Sequence, residues 1–465
     1  RGSHDQHVPP VHSSLVPTRI MSRPLAACVL AAGKGTRMKS ARPKVLQTLA
    51  GASMIELVLL SLSHLDPLPQ STLVLVGHGA ANVESSLAAM DPSIRVRLAP
   101  RCVVQEPQRG TGHALQVAAP HLADLAKVDG DLLVLLGDVP LVRPETLARL
   151  LDHHRSQRAV ATMLTMHRDD PTGYGRVLRH AGSGLVEGVI EDRDATDEER
   201  RIREVNTGMF VFRVAPLLDT LPLLTPANDA GEFYLPDVLP HMRAQGQRIA
   251  ALVAADASEV QGVNTRSQQA QADCIIRQRI LEELMSDGVH IVDPSQTYIE
   301  VGVEIGADTV VHPFTVIRRG VKIGERCEVG PFAHVRAGTI LADTAELGNF
   351  CEAKKAVLGP HTKAKHLTYL GDVTIGANTN VGAGTVICNY DGTTKHATAI
   401  GDNVFVGSGS MIIAPRSIGD RGRTGAGAVV TKDVAADQTV VGVPAKPLIP
   451  KAQKSIDAVS GETGG

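Results

Sequence analysis

The chain changes its apolar period once, and the change divides it. In the first half, apolar runs at 26–31, 73–76 and 132–136 alternate with stretches of helical spacing, 46–63 among them. Glycine stops each run: Gly33, then Gly77-His78-Gly79, then Gly137-Asp138. Apolar strands that end in glycine and feed helices predict a mostly parallel α/β sheet. Ligands of such sheets bind outside the carboxyl ends of the strands, so Gly33 and Gly137-Asp138 mark the expected site. Residues 265–286 carry Ile276, Ile280 and Leu284 among charges, which predicts a connecting helix.

Beyond that helix every sixth residue is aliphatic: Ile305, Val311, Ile317, Ile323, Val329, Val335, Leu341 and Leu347. The beat resumes at Ile375, Val381 and Ile387, and again at Ile400, Val406, Ile412 and Ile418. Thr424 breaks it and Val430 restores it. Neither strand nor helix periodicity produces a period of six. Hexapeptide repeats do: each is a short strand, three make a coil of a parallel β-helix, and the aliphatic side chain points inward. The polar stretch from Cys388 to His396, through Asn389, Tyr390, Asp391 and Gly392, interrupts the beat. In a solenoid such an insertion leaves the stack as a loop, and loops carry function disproportionately.

The length of 465 residues fits two or three domains. The boundaries expected are a catalytic α/β domain over 25–266, a linker helix over 267–287 and a β-helix over 288–450. Arg1-Gly2-Ser3-His4 reads as an expression remnant or an alternative start within a leader over 1–24, with Met21 as the expected native beginning. The leader lacks the apolar core of a secretory signal. The polar tail over 451–465 is expected to be disordered. A formal net charge of −2 and only 3% aromatic residues oppose a nucleic-acid surface, which needs a basic stripe or stacking rings. No apolar stretch approaches the ~20 residues that span a bilayer, so no membrane insertion is expected. Cys28, Cys102, Cys274, Cys327, Cys351 and Cys388 form no C-x-x-C pair, which reads as free thiols in a reducing cytoplasm.

The first strand runs into Leu30-Ala31-Ala32-Gly33-Lys34-Gly35-Thr36-Arg37-Met38. A Walker loop would need glycine at Cys28 and a hydroxyl at Gly35; a dinucleotide fingerprint would need glycine at Met38. Small residues nonetheless let the backbone approach a polyphosphate, and Arg37 and Lys44 add cations. This stretch, with Pro43-Lys44-Val45-Leu46 after it, resembles the sugar-nucleotide pyrophosphorylases. Together with the hexapeptide repeats, His366-Leu367-Thr368-Tyr369-Leu370-Gly371-Asp372, Gly382-Ala383-Gly384-Thr385 and the 388–392 stretch, it makes residues 25 to 450 resemble a narrower family. That family is the bacterial bifunctional N-acetylglucosamine-1-phosphate uridylyltransferase/glucosamine-1-phosphate N-acetyltransferases.

The resemblance implies a Rossmann-like nucleotidyltransferase domain followed by a left-handed parallel β-helix. It implies that Leu30, Ala31, Ala32, Gly33, Arg37 and Lys44 hold UTP and the UDP-sugar, with Gln105, Gly110 and Thr111 on the uracil. Leu136, Gly137 and Asp138 would complete the nucleotide site, and Gly175, Glu191 and Asn206 would line the sugar pocket. Asp138 and Asn264 would bind Mg²⁺. Such chemistry joins two anions, N-acetylglucosamine-1-phosphate and UTP, so cations must screen them. In the second half His366 would be the general base that frees the amine of glucosamine-1-phosphate to attack acetyl-CoA. Arg336 and Lys354 would hold the sugar phosphate, and Tyr369 and Asn380 the sugar. Ala383, Asn389, Tyr390, Ser408 and Ala426 would line the acetyl-CoA groove. A homotrimer feeding cell-envelope synthesis is implied as well.

Three departures from the family pattern stand out, one being that the stretch between the linker helix and Arg336 reads as shorter than in typical members, by about two coils. Val260-Gln261-Gly262-Val263-Asn264 has Gln261 where the family usually carries glutamate. Gly442-Val443-Pro444 occupies a stretch where an arginine is usual, leaving Lys446 as the nearest cation. The alternative reading is a monofunctional sugar-nucleotide pyrophosphorylase whose β-helix is structural or regulatory.

Overall fold

The computed structural model describes residues 23–226, 228 and 231–448. The expected leader, as far as residue 22, and the expected tail over 451–465 lie outside the described residues. Contacts gather the chain into two compact units. One takes residues up to Leu46 and Ile55–Gly262; the other takes Gln47–Met54 and everything from Val263.

In the first unit Leu25–Leu30 lies inside the sheet next to its middle strand, parallel to both Asp131–Leu136 and Ser71–Val76. Arg101–Val104 extends one side in parallel. On the other side Glu204–Arg213 runs antiparallel between Asp131–Leu136 and Ala161–His167, and Ile249–Val253 follows parallel to the latter. Alternate residues of Leu25–Leu30 enter different cores. Leu25, Ala27 and Val29 pack with residues of the helices Met54–Ser63 and Pro144–Ser156. Ala26 and Cys28 pack with residues of Thr111–Ala118 and Val238–Ala244. Burial on both faces is why these strands read as unbroken apolar runs.

The helix expected over 46–63 is corrected: only Met54–Ser63 is helical. Before it, Thr48–Leu49 and Ala52–Ser53 pair as a hairpin across Ala50 and Gly51, whose φ values are 42° and 82°. The hairpin is held by the second unit. The Ala50 N–H donates to Asp273 at 2.7 Å, and the Val301 N–H donates to the Ala50 carbonyl at 2.9 Å. These tertiary bonds override the local helical spacing, as propensity is only a weak prior.

The helix Arg266–Ser286 begins at a capping box in which Thr265 and Gln268 satisfy each other's backbone N–H groups. The parallel β-helix follows. Ile305 pairs with Ile323 and Val311 with Val329, one coil on. The aliphatic beats Val311, Ile317, Val329, Val335 and Leu347 are fully buried. Across the silent stretch between Leu347 and Ile375 the coil loses one residue. Leu347 pairs with Ala364 and Ala353 with Leu370, and these coils span 17 residues where earlier ones span 18. The strands Glu352–Leu358 and Tyr369–Ile375 run straight through a corner, turning at Lys355 and Asp372 with φ of 46° and 51°. Thr424, the broken beat, is buried; its hydroxyl accepts the Gly407 N–H at 2.9 Å and shares a hydrogen bond with Ser410 at 2.7 Å.

Leu347→Ala is expected to lower the unfolding free energy by about 2–5 kcal/mol through the cavity it leaves. Glu328→Ala, on the outer face, should cost about 0–1 kcal/mol. Denaturant titration compares them, and equal losses would contradict an interior built on the six-residue beat.

Candidate active sites

At the carboxyl ends of the central strands of the first unit, Leu30, Ala31, Ala32 and Gly33 stand beside Leu136, Gly137 and Asp138. The Gly137 N–H donates to the Leu30 carbonyl at 2.9 Å, and the Ala31 N–H to Leu75 at 2.8 Å. A Cβ on Gly137 would lie 3.3 Å from that of Ala31, so the two strand ends close on each other. Gly35 has a φ of 62°, and a Cβ there would stand 2.5 Å from the Cβ of Lys44. The loop therefore packs on the lysine stem. The Lys44 ammonium pairs with the Asp138 carboxylate, both side chains mostly buried. Arg37 lies on the single 3₁₀ turn Thr36–Met38.

Gln105 is buried, and its amide Nε2 donates to the Gly110 carbonyl at 2.9 Å. The Thr111 hydroxyl accepts the Leu235 N–H at 3.0 Å. Gly175, Glu191 and Asn206 come together. The Asn206 N–H donates to the Gly175 carbonyl at 2.8 Å, and a Cβ on Gly175 would meet the Glu191 carboxylate at 3.0 Å. Burial, then Asp237, Asp194 and Asp192, push the Glu191 carboxyl above its ordinary range. Asn264 falls in the second unit, whereas Asp138 falls in the first. The Asn264 N–H donates to Gln268 Oε1 at 2.8 Å, on the turn that starts the long helix.

Mg²⁺ is a hard cation that keeps several waters and binds through one or two carboxylates plus substrate phosphates. Asp138 offers one carboxylate at a strand end, beside a lysine suited to phosphate. Among the described residues no group of three or more His, Cys, Asp or Glu side chains forms a metal cage. That donor set fits a cation carried chiefly by phosphate and water.

In the second unit the coil register brings residues distant in sequence together. His366 pairs with Asn349 one coil earlier, and its Nδ1 lies 2.7 Å from Asn349 Oδ1. An amide oxygen only accepts, so Nδ1 is the donor in this contact, and in the neutral imidazole the lone pair is then on Nε2. One edge of the prism carries the column Asn349, His366, Ala383, Ser408 and Ala426. Backbone bonds define it: Leu367 N–H to Asn349, Gly384 N–H to His366, Gly409 N–H to Ala383 and Gly427 N–H to Ser408. The residue after each column member turns the corner at positive φ. It is bulky at Phe350 and Leu367, then becomes Gly384, Gly409 and Gly427. Past His366 the edge is bare backbone. Asn380 lies three residues before Ala383, on a strand paired with that of Lys363.

Beside this edge, Lys354 lies 3.6 Å from Asp372, whose carboxylate also accepts from the Asn389 amide at 2.5 Å. A Cβ on Gly371 would stand 2.6 Å from both the Asn389 amide and the Tyr369 hydroxyl, so these two side chains close over that glycine. The Lys354 ammonium nearby holds the Lys395 amine below the usual lysine range. Arg336 binds Glu352 at 2.7 Å. Tyr390 is exposed and bridges Lys395 across the base of the 388–396 loop, which His396 and Asp391 clasp at 2.6 Å. Asn349, Asp372 and Lys395 were not anticipated. The first had a signal, because it sits one coil length before His366.

All six cysteines are free. Burial raises the Cys351 and Cys388 thiols, which makes both poor nucleophiles.

Residues 27–204 match the MobA-like NTP transferase domain, and residues 302–337 match the bacterial transferase hexapeptide repeats. The chain is 44% identical over 445 residues to the bifunctional protein GlmU of Syntrophotalea carbinolica, covering 88% of this chain and 92% of that protein. It is 42% identical over 451 residues to the bifunctional protein GlmU of Synechococcus sp. strain CC9605, covering 90% and 96%. With both domains present in that order and aligned over nearly their whole length, the chain belongs to the bifunctional GlmU family, a nucleotidyltransferase joined to a hexapeptide-repeat acetyltransferase.

Proposed function

We propose that the two activities of this enzyme reside in separate units: acetyl transfer on the β-helix edge at His366, uridylyl transfer at the strand ends around Lys44 and Asp138. The observation that carries the reading is the prism edge. His366, its Nδ1 engaged by Asn349, stands where the bulky corner residues give way to three glycines, room for the long thioester arm of acetyl-CoA. Ala383, Ser408 and Ala426 line that groove, and Asn389 and Tyr390 approach it from the loop. Lys354, Lys395 and Arg336 take the phosphate of glucosamine-1-phosphate, with Tyr369 and Asn380 on the sugar. The substrate amine attacks the thioester carbonyl, its proton passes to His366 Nε2, and the C–S bond breaks to release CoA. The raised thiols of Cys351 and Cys388 favour this direct transfer over an acyl-enzyme.

In the first unit a phosphate oxygen of N-acetylglucosamine-1-phosphate attacks the α-phosphate of UTP, and pyrophosphate leaves. Arg37 and Lys44 screen the two anions, while Gly33 and Gly137 let backbone approach the phosphates. Gln105, Gly110 and Thr111 read the base; Gly175, Glu191 and Asn206 hold the sugar. Asp138 would hold Mg²⁺, which when bound neutralises charge on the phosphates. The family assembles here as a homotrimer in the cytoplasm; six free thiols suit a reducing compartment. No helix among the described residues is long and apolar enough to cross a membrane.

Three outcomes test this. His366→Ala should lower acetyl transfer by ~10²–10⁴-fold and spare uridylyl transfer; Asp138→Ala should do the reverse. Parallel loss of both activities in either folded variant would contradict separate sites. Glucosamine-1-phosphate should bind the lysine pair with proton uptake at alkaline pH, because its phosphate offsets the repulsion that lowers Lys395. Its affinity should then fall as pH rises through that range. Calorimetry in buffers of different ionisation heat reads this, and Lys395→Met should abolish the uptake. Sedimentation should give a trimer, and a fully active monomer would remove the assembly claim.

A further inference from the structure

We propose that His113 is a positioning residue for base selection: it fixes the Gln105 amide so that Oε1 is the atom presented to the nucleotide base. This rests on the reading that Gln105 meets the uracil.

The segment around Gln105 is tightly held. Its backbone N–H extends the strand ladder to the Val76 carbonyl at 2.7 Å. The Phe233 N–H donates to the Arg109 carbonyl at 2.8 Å, and the Gly112 N–H donates to the Phe233 carbonyl at 2.7 Å. Gly110, at a φ of 102°, passes so near Phe233 that a Cβ would lie 2.6 Å from its carbonyl oxygen. His113 follows on the first turn of Thr111–Ala118, its ring centroid 6.2 Å from that of Phe233.

Two partners settle which way the amide faces. Gln105 Nε2 is 2.9 Å from the Gly110 carbonyl and 3.2 Å from His113 Nδ1. A carbonyl oxygen only accepts, so the atom facing Gly110 is the NH₂ group. An NH₂ group only donates, so His113 Nδ1 accepts, and the imidazole is the neutral tautomer protonated on Nε2. Burial, then the Arg109 guanidinium, lowers the His113 pKa and so disfavours the imidazolium, which could not accept this bond. Both amide hydrogens are then committed. Among the described residues no hydrogen bond reaches Gln105 Oε1. Turning the amide over would set Oε1 against the Gly110 carbonyl.

An acceptor held in place selects a donor. Uracil offers N3–H there, whereas cytosine offers a lone pair at N3. A site built to hydrogen-bond a group rejects an analogue that lacks it far more strongly than an apolar pocket rejects a methylene. Without His113 the amide loses one of two restraints, and the NH₂ can turn toward cytosine.

The test compares kcat/KM for UTP and CTP in the full-length enzyme, with Mg²⁺ and N-acetylglucosamine-1-phosphate. His113→Phe keeps a ring against Phe233 and removes the acceptor. It should lower the UTP to CTP preference by at least about tenfold, chiefly through KM for UTP, with acetyl transfer unchanged. His113→Asn, whose amide oxygen can stand near the place of Nδ1, should restore most of the preference. Gln105→Leu should lose it. If Gln105→Leu loses the preference and His113→Phe keeps it, His113 has no positioning role and the base reading survives. If Gln105→Leu keeps it, the base reading fails and the proposal with it. Nitrogen NMR of histidine in the unsubstituted enzyme gives a readout independent of any variant's folding. At neutral pH His113 should be neutral, protonated on Nε2 with Nδ1 accepting; a proton on Nδ1 overturns the proposal.

Discussion

The second unit depends on one constraint: an aliphatic side chain must point into the prism at each strand, and the backbone ladder then locks every coil onto the next. Ile317, Val335, Leu347 and their counterparts leave no room for slippage, because moving a strand by one residue would turn its apolar side chain outward. Register alone therefore converts sequence separation into proximity. His366 meets Asn349, Lys354 lies over Gly371, and Ala383, Ser408 and Ala426 form one edge, without any of these polar contacts having to hold the fold together. The one-residue contraction of the coils falls where Lys354 and Asp372 sit. A tight corner there replaces a looser one and brings a lysine, a carboxylate and the Asn389 amide into one cluster.

The first unit reaches its site by a different route. Strands buried on both faces are mostly apolar along their length, so much of the chemistry collects where they end. The Lys44–Asp138 pair shows the electrostatic consequence. Each group offsets the other's partial burial.

Much of this architecture was readable beforehand because it rests on repetition and punctuation. The six-residue beat marks the β-helix, the glycine-stopped apolar runs mark the sheet, and the spacing of Ile276, Ile280 and Leu284 marks the long helix. The hairpin at Thr48–Ser53 was not readable. Ala50 carries no turn signal, and its positive φ is stabilised by Asp273, far along the chain. The five-residue steps from Ala353 to Leu358 and from Leu370 to Ile375 hid for a similar reason: a small interior alanine and a shortened corner erase the beat where function is concentrated. Asn349, Lys395 and His113 act through partners fixed by coil register or loop closure, and composition has no view of either.

The central claim is that one chain performs both transfers in sequence. The most direct measurement supplies glucosamine-1-phosphate, acetyl-CoA, UTP and Mg²⁺ to the purified enzyme and follows CoA, pyrophosphate and UDP-N-acetylglucosamine together. The account predicts that all three accumulate, with CoA and UDP-N-acetylglucosamine forming at equal rates once the intermediate is steady. Formation of UDP-N-acetylglucosamine only when N-acetylglucosamine-1-phosphate is added, with no CoA released from glucosamine-1-phosphate, would contradict it and leave the β-helix a structural appendage.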